Sequence, residues 1–324
     1  MKGTKNPAPV AVASRSFSRH PVLRAELLAR YDDVTFNDKG VILAGDGLIA
    51  FLEGRERVIV GLERMVDAVF SALPGLKVVS KYGVGLDSID TQAMARRGVR
   101  LGWTGGRNKR SVSELVICFA VALLRHVPMV HAEVRAGTWR QPVGRQLSDR
   151  TVGIIGCGHI GKDLAPLLRA FGCGVLAHDI LDFPEFYARH DVEPVGLEPL
   201  LRAADVVTLH VPLDDTTRDM LNAERLALMK PEAILINAAR GGLVDEGALK
   251  RMLKEGRLAG AAFDVFATEP PEDSELLDLP NFLATAHIGG SAEEAILAVG
   301  RAAIDGLDDA GDPLTVSKSK ASVP

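Results

Sequence analysis

Residues 151–164 read TVGIIGCGHIGKDL. A short run rich in β-branched residues, TVGII, runs into Gly156, Gly158 and Gly161 and then into a helix-length amphipathic segment. In a strand-to-helix turn of this kind the first glycine makes the tight bend. The second lets backbone approach a pyrophosphate, and the third lets helix and strand pack closely. The helix start then turns its unpaired amides and positive dipole end toward phosphate. Taken alone, a G-x-G-x-x-G is a weak signal, because any glycine-rich turn can match it.

The next apolar run, GVLAH (174–178), ends at Asp179. This is near the offset of about 20 residues at which a carboxylate meets the adenosine ribose hydroxyls. A carboxylate there repels a 2′-phosphate and favours NAD over NADP. Methyltransferases also place an acid at this point, so the turn and Asp179 by themselves leave the cofactor open. Further strand-like runs follow at DVVTLH (205–210), AILIN (233–237), AGAAFDV (259–265) and FLATAH (282–287), with helix-length segments between them. Six strands alternating with helices predict an α/β fold with a Rossmann-type doubly wound parallel sheet. Asn222 is placed to cap a helix running to Lys230, and Asp245 to cap one ending at Gly256.

Toward the amino terminus the alternation is weaker, with strands expected near 9–14, 57–60 and 77–81 and an amphipathic helix around 62–72. This reads as a smaller, flavodoxin-like α/β domain. A glycine-rich joint, GWTGGRN (102–108), precedes Ser111 and Glu114, whose spacing is that of a capping box on a helix carrying the apolar run Leu115–Leu124. The expected organisation is a nucleotide domain, 104–287, inserted into a discontinuous substrate domain, 1–103 plus 288–324. The Ser- and Lys-rich tail from Thr315 is expected to be loose.

Bulk properties agree with two domains, since 324 residues exceed what one hydrophobic core usually serves. With 47% hydrophobic and 25% charged residues the composition is globular, and the longest apolar run is half a membrane span. No signal-like apolar segment opens the chain, so a cytoplasmic protein without a membrane partner is expected. Cys118, Cys157 and Cys173 have neither metal-site nor disulfide-framework spacing, and read as buried reduced thiols with no metal. A net charge of −4 gives no reason to expect nucleic acid, which leaves small-molecule chemistry.

Three polar residues stand just beyond three successive predicted strands, at the edge where doubly wound sheets place ligands. Arg240, in INAARGGLVDE, carries a planar fork able to grip a carboxylate, and two glycines beside it leave room. Glu269 lies in FDVFATEPP and His287 in ATAHIGGS. Singly, each would pass for a surface charge or a structural histidine; together at one sheet edge they point to a reaction centre.

The order G-x-G-x-x-G, N-x-x-R-G-G-x-V-D-E, F-D-V-F-x-x-E-P and H-I-G-G resembles the D-isomer-specific 2-hydroxyacid dehydrogenase family, from about Pro74 to about Arg301. KYGVGLDSID (81–90) is similar to its substrate-carboxylate loop, and TGGRNKRSVSE to its hinge. The resemblance implies an NAD-dependent oxidoreductase that moves a hydride between nicotinamide and a small 2-hydroxy or 2-oxo acid. It implies Arg240 as substrate clamp, His287 as acid/base and Glu269 as its partner, with backbone near Gly83, Val84 and Gly85 meeting the substrate acid. For NAD it implies contacts from Gly156, Gly158, His159, Ile160, Gly161, Asp179, Ala238, Ala239, Arg240, Asp264, His287, Ile288, Gly289 and Gly290, and from His210, Val211, Pro212 and Thr217. The sequence departs from the pattern at Gly105 and Ala286, where the family usually has proline. Lys81, Arg107 and Lys109 could hold a phosphate, which puts 3-phosphoglycerate first among substrates; ordinary surface cations are the alternative. Glyoxylate, hydroxypyruvate or another 2-oxo acid remains open. The apolar helix 113–124 and its arm to Trp139 predict a homodimer. Readings of another class are an NAD-sensing corepressor-like binding protein and a methyltransferase.

Overall fold

A computed structural model describes residues 5–318 of the chain. They divide into two compact units, one of residues 109–292 and one joining the described residues up to 108 and from 293. The chain thus crosses at 108/109 and 292/293, not at the 103/104 and 287/288 expected from the sequence. Amide bonds from Ile288 and Gly289 to Asp264 keep that turn with the larger unit, and the helix Lys109–Leu124 packs on its sheet.

The smaller unit holds five strands, β1 (Val10–Val12), β2 (Val34–Phe36), β3 (Arg57–Val60), β4 (Val78–Lys81) and β5 (Arg100–Gly102). They are all parallel, in the order β2-β1-β3-β4-β5, which is the flavodoxin-like order. Strands β2 and β5 escaped the sequence reading because three residues around one or two apolar side chains show no period. The helix expected over 62–72 forms only over Asp67–Ala72. Ahead of it Met65 is extended, donating its amide to the Ser88 carbonyl, and Leu62 is exposed.

The larger unit has seven parallel strands: β6 (Thr151–Ile155), β7 (Gly174–His178), β8 (Glu193–Pro194), β9 (Val206–Leu209), β10 (Ile234–Asn237), β11 (Gly260–Phe263) and β12 (Phe282–Ala284). Their order is β12-β11-β10-β9-β6-β7-β8, a doubly wound sheet that reverses direction at β6. Successive strand residues feed opposite faces: Ile155, Leu209, Leu235 and Phe263 pack in one core layer, and Ile154, Val206, Ile236 and Ala262 in the other. Burial on both faces explains why these strands read as continuous apolar runs. The two-residue edge strand β8, one residue of it proline, carried no such signal.

Several local expectations change. Asn222 caps through its side chain as expected, but its helix is only Ala223–Leu226. Asp245 caps Glu246–Lys254, which ends before Gly256 at φ +65°. The Lys109–Leu124 helix begins before Ser111, so the capping box is absent; the Ser111 hydroxyl instead donates to the Gly289 carbonyl at 2.6 Å. Cys157 and Cys173 are buried while Cys118 is exposed, on the face of that helix opposite Phe119 and Ala120's core side. The tail from Thr315 continues a helix, Pro313–Lys318; residues 319–324 lie outside the described part.

Candidate active site

At the glycine turn, two glycines are required by the protein itself. A Cβ on Gly156 would lie 2.6 Å from the His210 carbonyl oxygen, and one on Gly161 would lie 2.4 Å from the Gly156 oxygen. On Gly158 the same atom would meet nothing within 4 Å. That open space borders the start of the 12-residue helix His159–Ala170, where unpaired amides and the dipole favour an anion. Asp179, just after β7, accepts the Cys157 amide at 2.6 Å and the Leu181 amide at 2.9 Å. It thereby ties the turn to its neighbouring strand, and lone pairs remain for ribose hydroxyls. These residues fit a dinucleotide.

His210 lies beneath the turn. Its Nε2 is 3.0 Å from Thr208 Oγ1, and burial pushes the ring's pKa down to about 3, so it is neutral. Its Nδ1 has no hydrogen-bond partner among the described residues. Thr217 Oγ1 donates to the Pro212 carbonyl at 2.8 Å and closes the loop that carries Val211. His159 is held below its ordinary pKa by partial burial, with Lys109 and Lys162 adding to the effect.

Arg240 follows β10 on a turn shaped by buried Asn237. The Asn237 amide nitrogen donates to the Arg240 carbonyl at 2.8 Å, and its oxygen accepts the Ala239 amide at 3.1 Å. The Arg240 guanidinium donates to the Ala239 carbonyl at 2.6 Å. Beside it, a Cβ on Gly241 would stand 1.9 Å from the Phe266 carbonyl, so the Arg240 turn lies directly on the loop that leads to Glu269. That loop is fixed from within and from outside: Glu269 Oε1 accepts the Phe266 amide at 3.2 Å and Glu246 Oε1 accepts the Ala267 amide at 2.9 Å. The other oxygen of Glu269 meets His287 Nδ1 at 3.0 Å, and both side chains stay about half exposed. His287 and Glu269 are therefore paired and open to a ligand.

Residues 117–289, which contain the turn, Asp179 and all three of these side chains, match the profile described as "D-isomer specific 2-hydroxyacid dehydrogenase, NAD binding domain". The chain belongs to the D-isomer specific 2-hydroxyacid dehydrogenase family. Rat D-3-phosphoglycerate dehydrogenase is 38% identical over 256 residues, 78% of this chain and 48% of that one. The chain spans about half the length of the curated relatives it matches. Among solved structures, a putative family member from Polaromonas has a TM-score of 0.86 at 28% identity, covering 96% of this chain and 98% of that one. D-lactate dehydrogenase from Aquifex aeolicus, solved with NAD and lactic acid, has a TM-score of 0.78 at 25% identity, covering 96% and 94%.

The five-stranded unit places Lys81 at the end of β4, where it is 6% exposed. Its ammonium bonds the Gly61 carbonyl and, at 3.0 Å, Ser88 Oγ. It braces the 82–88 loop from beneath, while Arg107 and Lys109 are exposed. Gly83 takes φ +154°, and the Val84 carbonyl accepts the Trp103 indole N–H at 3.2 Å.

Sequence reasoning missed Asn237, Glu246 and Thr285. Their hydrogen bonds set the shapes of the three loops, but each looks like an ordinary polar residue at a strand or helix end. Asp264, expected at the cofactor, is 1% exposed, and its oxygens accept from Thr285, Ile288 and Gly289.

Proposed function

We propose that this dehydrogenase interconverts a small D-2-hydroxy acid and its 2-oxo acid. NAD, held at the glycine turn by the Gly158 gap, the His159 and Ile160 amides and Asp179, supplies or accepts the hydride. Arg240 grips the substrate carboxylate, its fork matching two oxygens at once. His287 is the acid/base: with Nδ1 engaged by Glu269, Nε2 is the nitrogen left to give a proton to the substrate oxygen or take one from it. The 3.0 Å pair of Glu269 and His287, open to solvent beside the Arg240 turn, carries this reading.

The substrate proposed first is 3-phosphoglycerate, in keeping with what the curated relatives are named for. A second reading, an unphosphorylated acid such as hydroxypyruvate or glyoxylate, is favoured by Lys81. That cation is buried and committed to Gly61 and Ser88, which leaves fewer cations to meet a phosphate. NADH oxidation with 3-phosphohydroxypyruvate, hydroxypyruvate, glyoxylate and pyruvate decides between them. His287→Ala is expected to keep NADH binding and lose about 10² to 10⁴ in turnover. Normal turnover in that variant, or wild-type substrate affinity in Arg240→Lys, would remove the assignment.

A homodimer is proposed from the Val127–Arg135 helix, which buries none of its residues, and from exposed Val127, Trp139 and Val143 beyond the core helix. Sedimentation equilibrium at micromolar concentration should find two chains; a monomer refutes it. No single described helix is long and apolar enough to cross a membrane. A cytoplasmic setting is proposed from three cysteines, all of them free.

A further inference from the structure

His287 sits at φ +54°, a left-handed conformation that a residue with a Cβ adopts only where its surroundings impose it. The residue before it is Ala286, with no ring to fix the chain. What imposes the shape is Asp264. In the β11–β12 register Phe263 faces Ala284, so Asp264 and Thr285 are the next pair beyond the ladder. The Asp264 carbonyl accepts the His287 amide at 2.9 Å. Its carboxylate then takes the next two amides, Ile288 on Oδ1 and Gly289 on Oδ2, both at 2.7 Å. Gly289 fits because a Cβ there would come 3.0 Å from Oδ2, and its carbonyl is held from the other side by Ser111.

One bond in this arrangement belongs to neither backbone nor the histidine turn. Thr285 Oγ1 donates to Asp264 Oδ1 at 2.6 Å. The two amides, one on each oxygen, set the carboxylate's plane on a broad rotor. A third, short, charge-assisted donor on Oδ1 narrows that well. In a buried carboxylate the lost donor has no water to replace it.

We propose that Thr285 is a positioning residue for proton transfer: its hydroxyl locks Asp264, and Asp264 locks the left-handed turn that aims His287. The proposal rests on the reading of His287 as the acid/base given above. Thr285 touches no reacting atom in this scheme, so its effect must run through His287.

The experiment compares Thr285→Val, which keeps size and loses the hydroxyl, with Thr285→Ser, which keeps the hydroxyl. Both are made in the wild-type and His287→Ala backgrounds. Each is assayed with NADH and the best 2-oxo acid among 3-phosphohydroxypyruvate, hydroxypyruvate, glyoxylate and pyruvate. In the wild-type background Thr285→Val should lower kcat at least about tenfold, moving KM and the NADH dissociation constant less than about threefold. Thr285→Ser should recover to within about threefold of wild type. In the His287→Ala background Thr285→Val should change the residual rate less than about twofold, because the interaction it supports is already gone. Equal defects in Val and Ser variants would overturn the proposal, since bulk and not the hydroxyl would then matter. So would an undiminished tenfold loss in the His287→Ala background, or a loss carried by NADH affinity with kcat intact. If His287→Ala alone turned over like wild type, the acid/base reading would fall first; a dead His287→Ala beside a fully active Thr285→Val would sink the positioning role alone.

Discussion

Replacing Gly241 by alanine should disable the proposed reaction without touching Arg240, Glu269 or His287. The new Cβ would lie 1.9 Å from the Phe266 carbonyl carbon and oxygen and 2.3 Å from the Ala267 nitrogen, all of them backbone atoms that no rotamer change can move. Opening that gap to the 3.4 Å of an ordinary contact requires the two loops to part by about 1.5 Å. One loop carries Arg240 next to the substitution; the other carries Glu269, whose own oxygen accepts the Phe266 amide. Whichever loop yields, a side chain of the site moves with it. A 1 Å displacement of a reacting group commonly costs about 10² in rate, so kcat/KM should fall about a hundredfold or more. Overpacking should also cost about 1–3 kcal/mol of stability, measurable by urea titration at pH 7. NADH titration by fluorescence should change far less, because the glycine turn at 156–161 lies on another strand. Turnover within about threefold of wild type would refute the claim that these loops fix each other.

Gly158→Ala is the opposite case. With nothing within 4 Å to meet its Cβ, it should leave stability within about 0.5 kcal/mol yet weaken NADH about tenfold or more by filling the gap meant for phosphate; unchanged affinity on titration would count against that gap. Glu269→Ala should lower kcat/KM about a hundredfold, while Glu269→Gln, whose amide oxygen can still accept the Nδ1 proton, should lose clearly less; equal losses would mean that Glu269 does more than orient the ring. His210 gives a pH dependence. Its folded pKa is about 3 against an ordinary 6.5, so between those values the unfolded chain binds a proton that the folded one refuses. Stability from this group is complete above about pH 6.5 and is lost as pH falls toward 3. Urea titrations between pH 6 and 4 should show a slope shallower in His210→Gln by about 1.4 kcal/mol per pH unit; identical slopes would show that the ring is not held neutral.

Much of this was legible in the sequence, and the reason is local. Strands β6, β7, β9, β10 and β11 are buried on both faces, so each announces itself as an apolar run without reference to any neighbour. The glycine turn, Asp179 and the Asn222 and Asp245 caps likewise depend on residues a few positions apart. What stayed hidden depends on pairing. Strands β2, β5 and β8 are strands because others lie beside them. Ser111 was read as a cap because S-x-x-E is a local pattern, but its partner is 178 residues away. Lys81 stands in the sequence as a cation free to hold a phosphate, for want of any sign that Gly61 and Ser88 would enclose it.

The site follows the same division. Parallel register lines up Asn237 with Phe263 and Phe263 with Ala284 across three adjacent strands. Arg240 and His287 each come three residues beyond that line, so short turns suffice to hold them at the sheet edge. Glu269 comes six residues beyond it and would wander on an unsupported loop. Its own bond to the Phe266 amide folds the loop back, the Glu246 bond to Ala267 anchors it, and Gly241 gives it a surface to lie on. The sequence could name the three residues, because an arginine, a glutamate and a histidine after consecutive strands are visible in one dimension. Whether the glutamate reaches the histidine is decided by backbone donors and by one missing Cβ, and those become visible only when β10, β11 and β12 lie side by side.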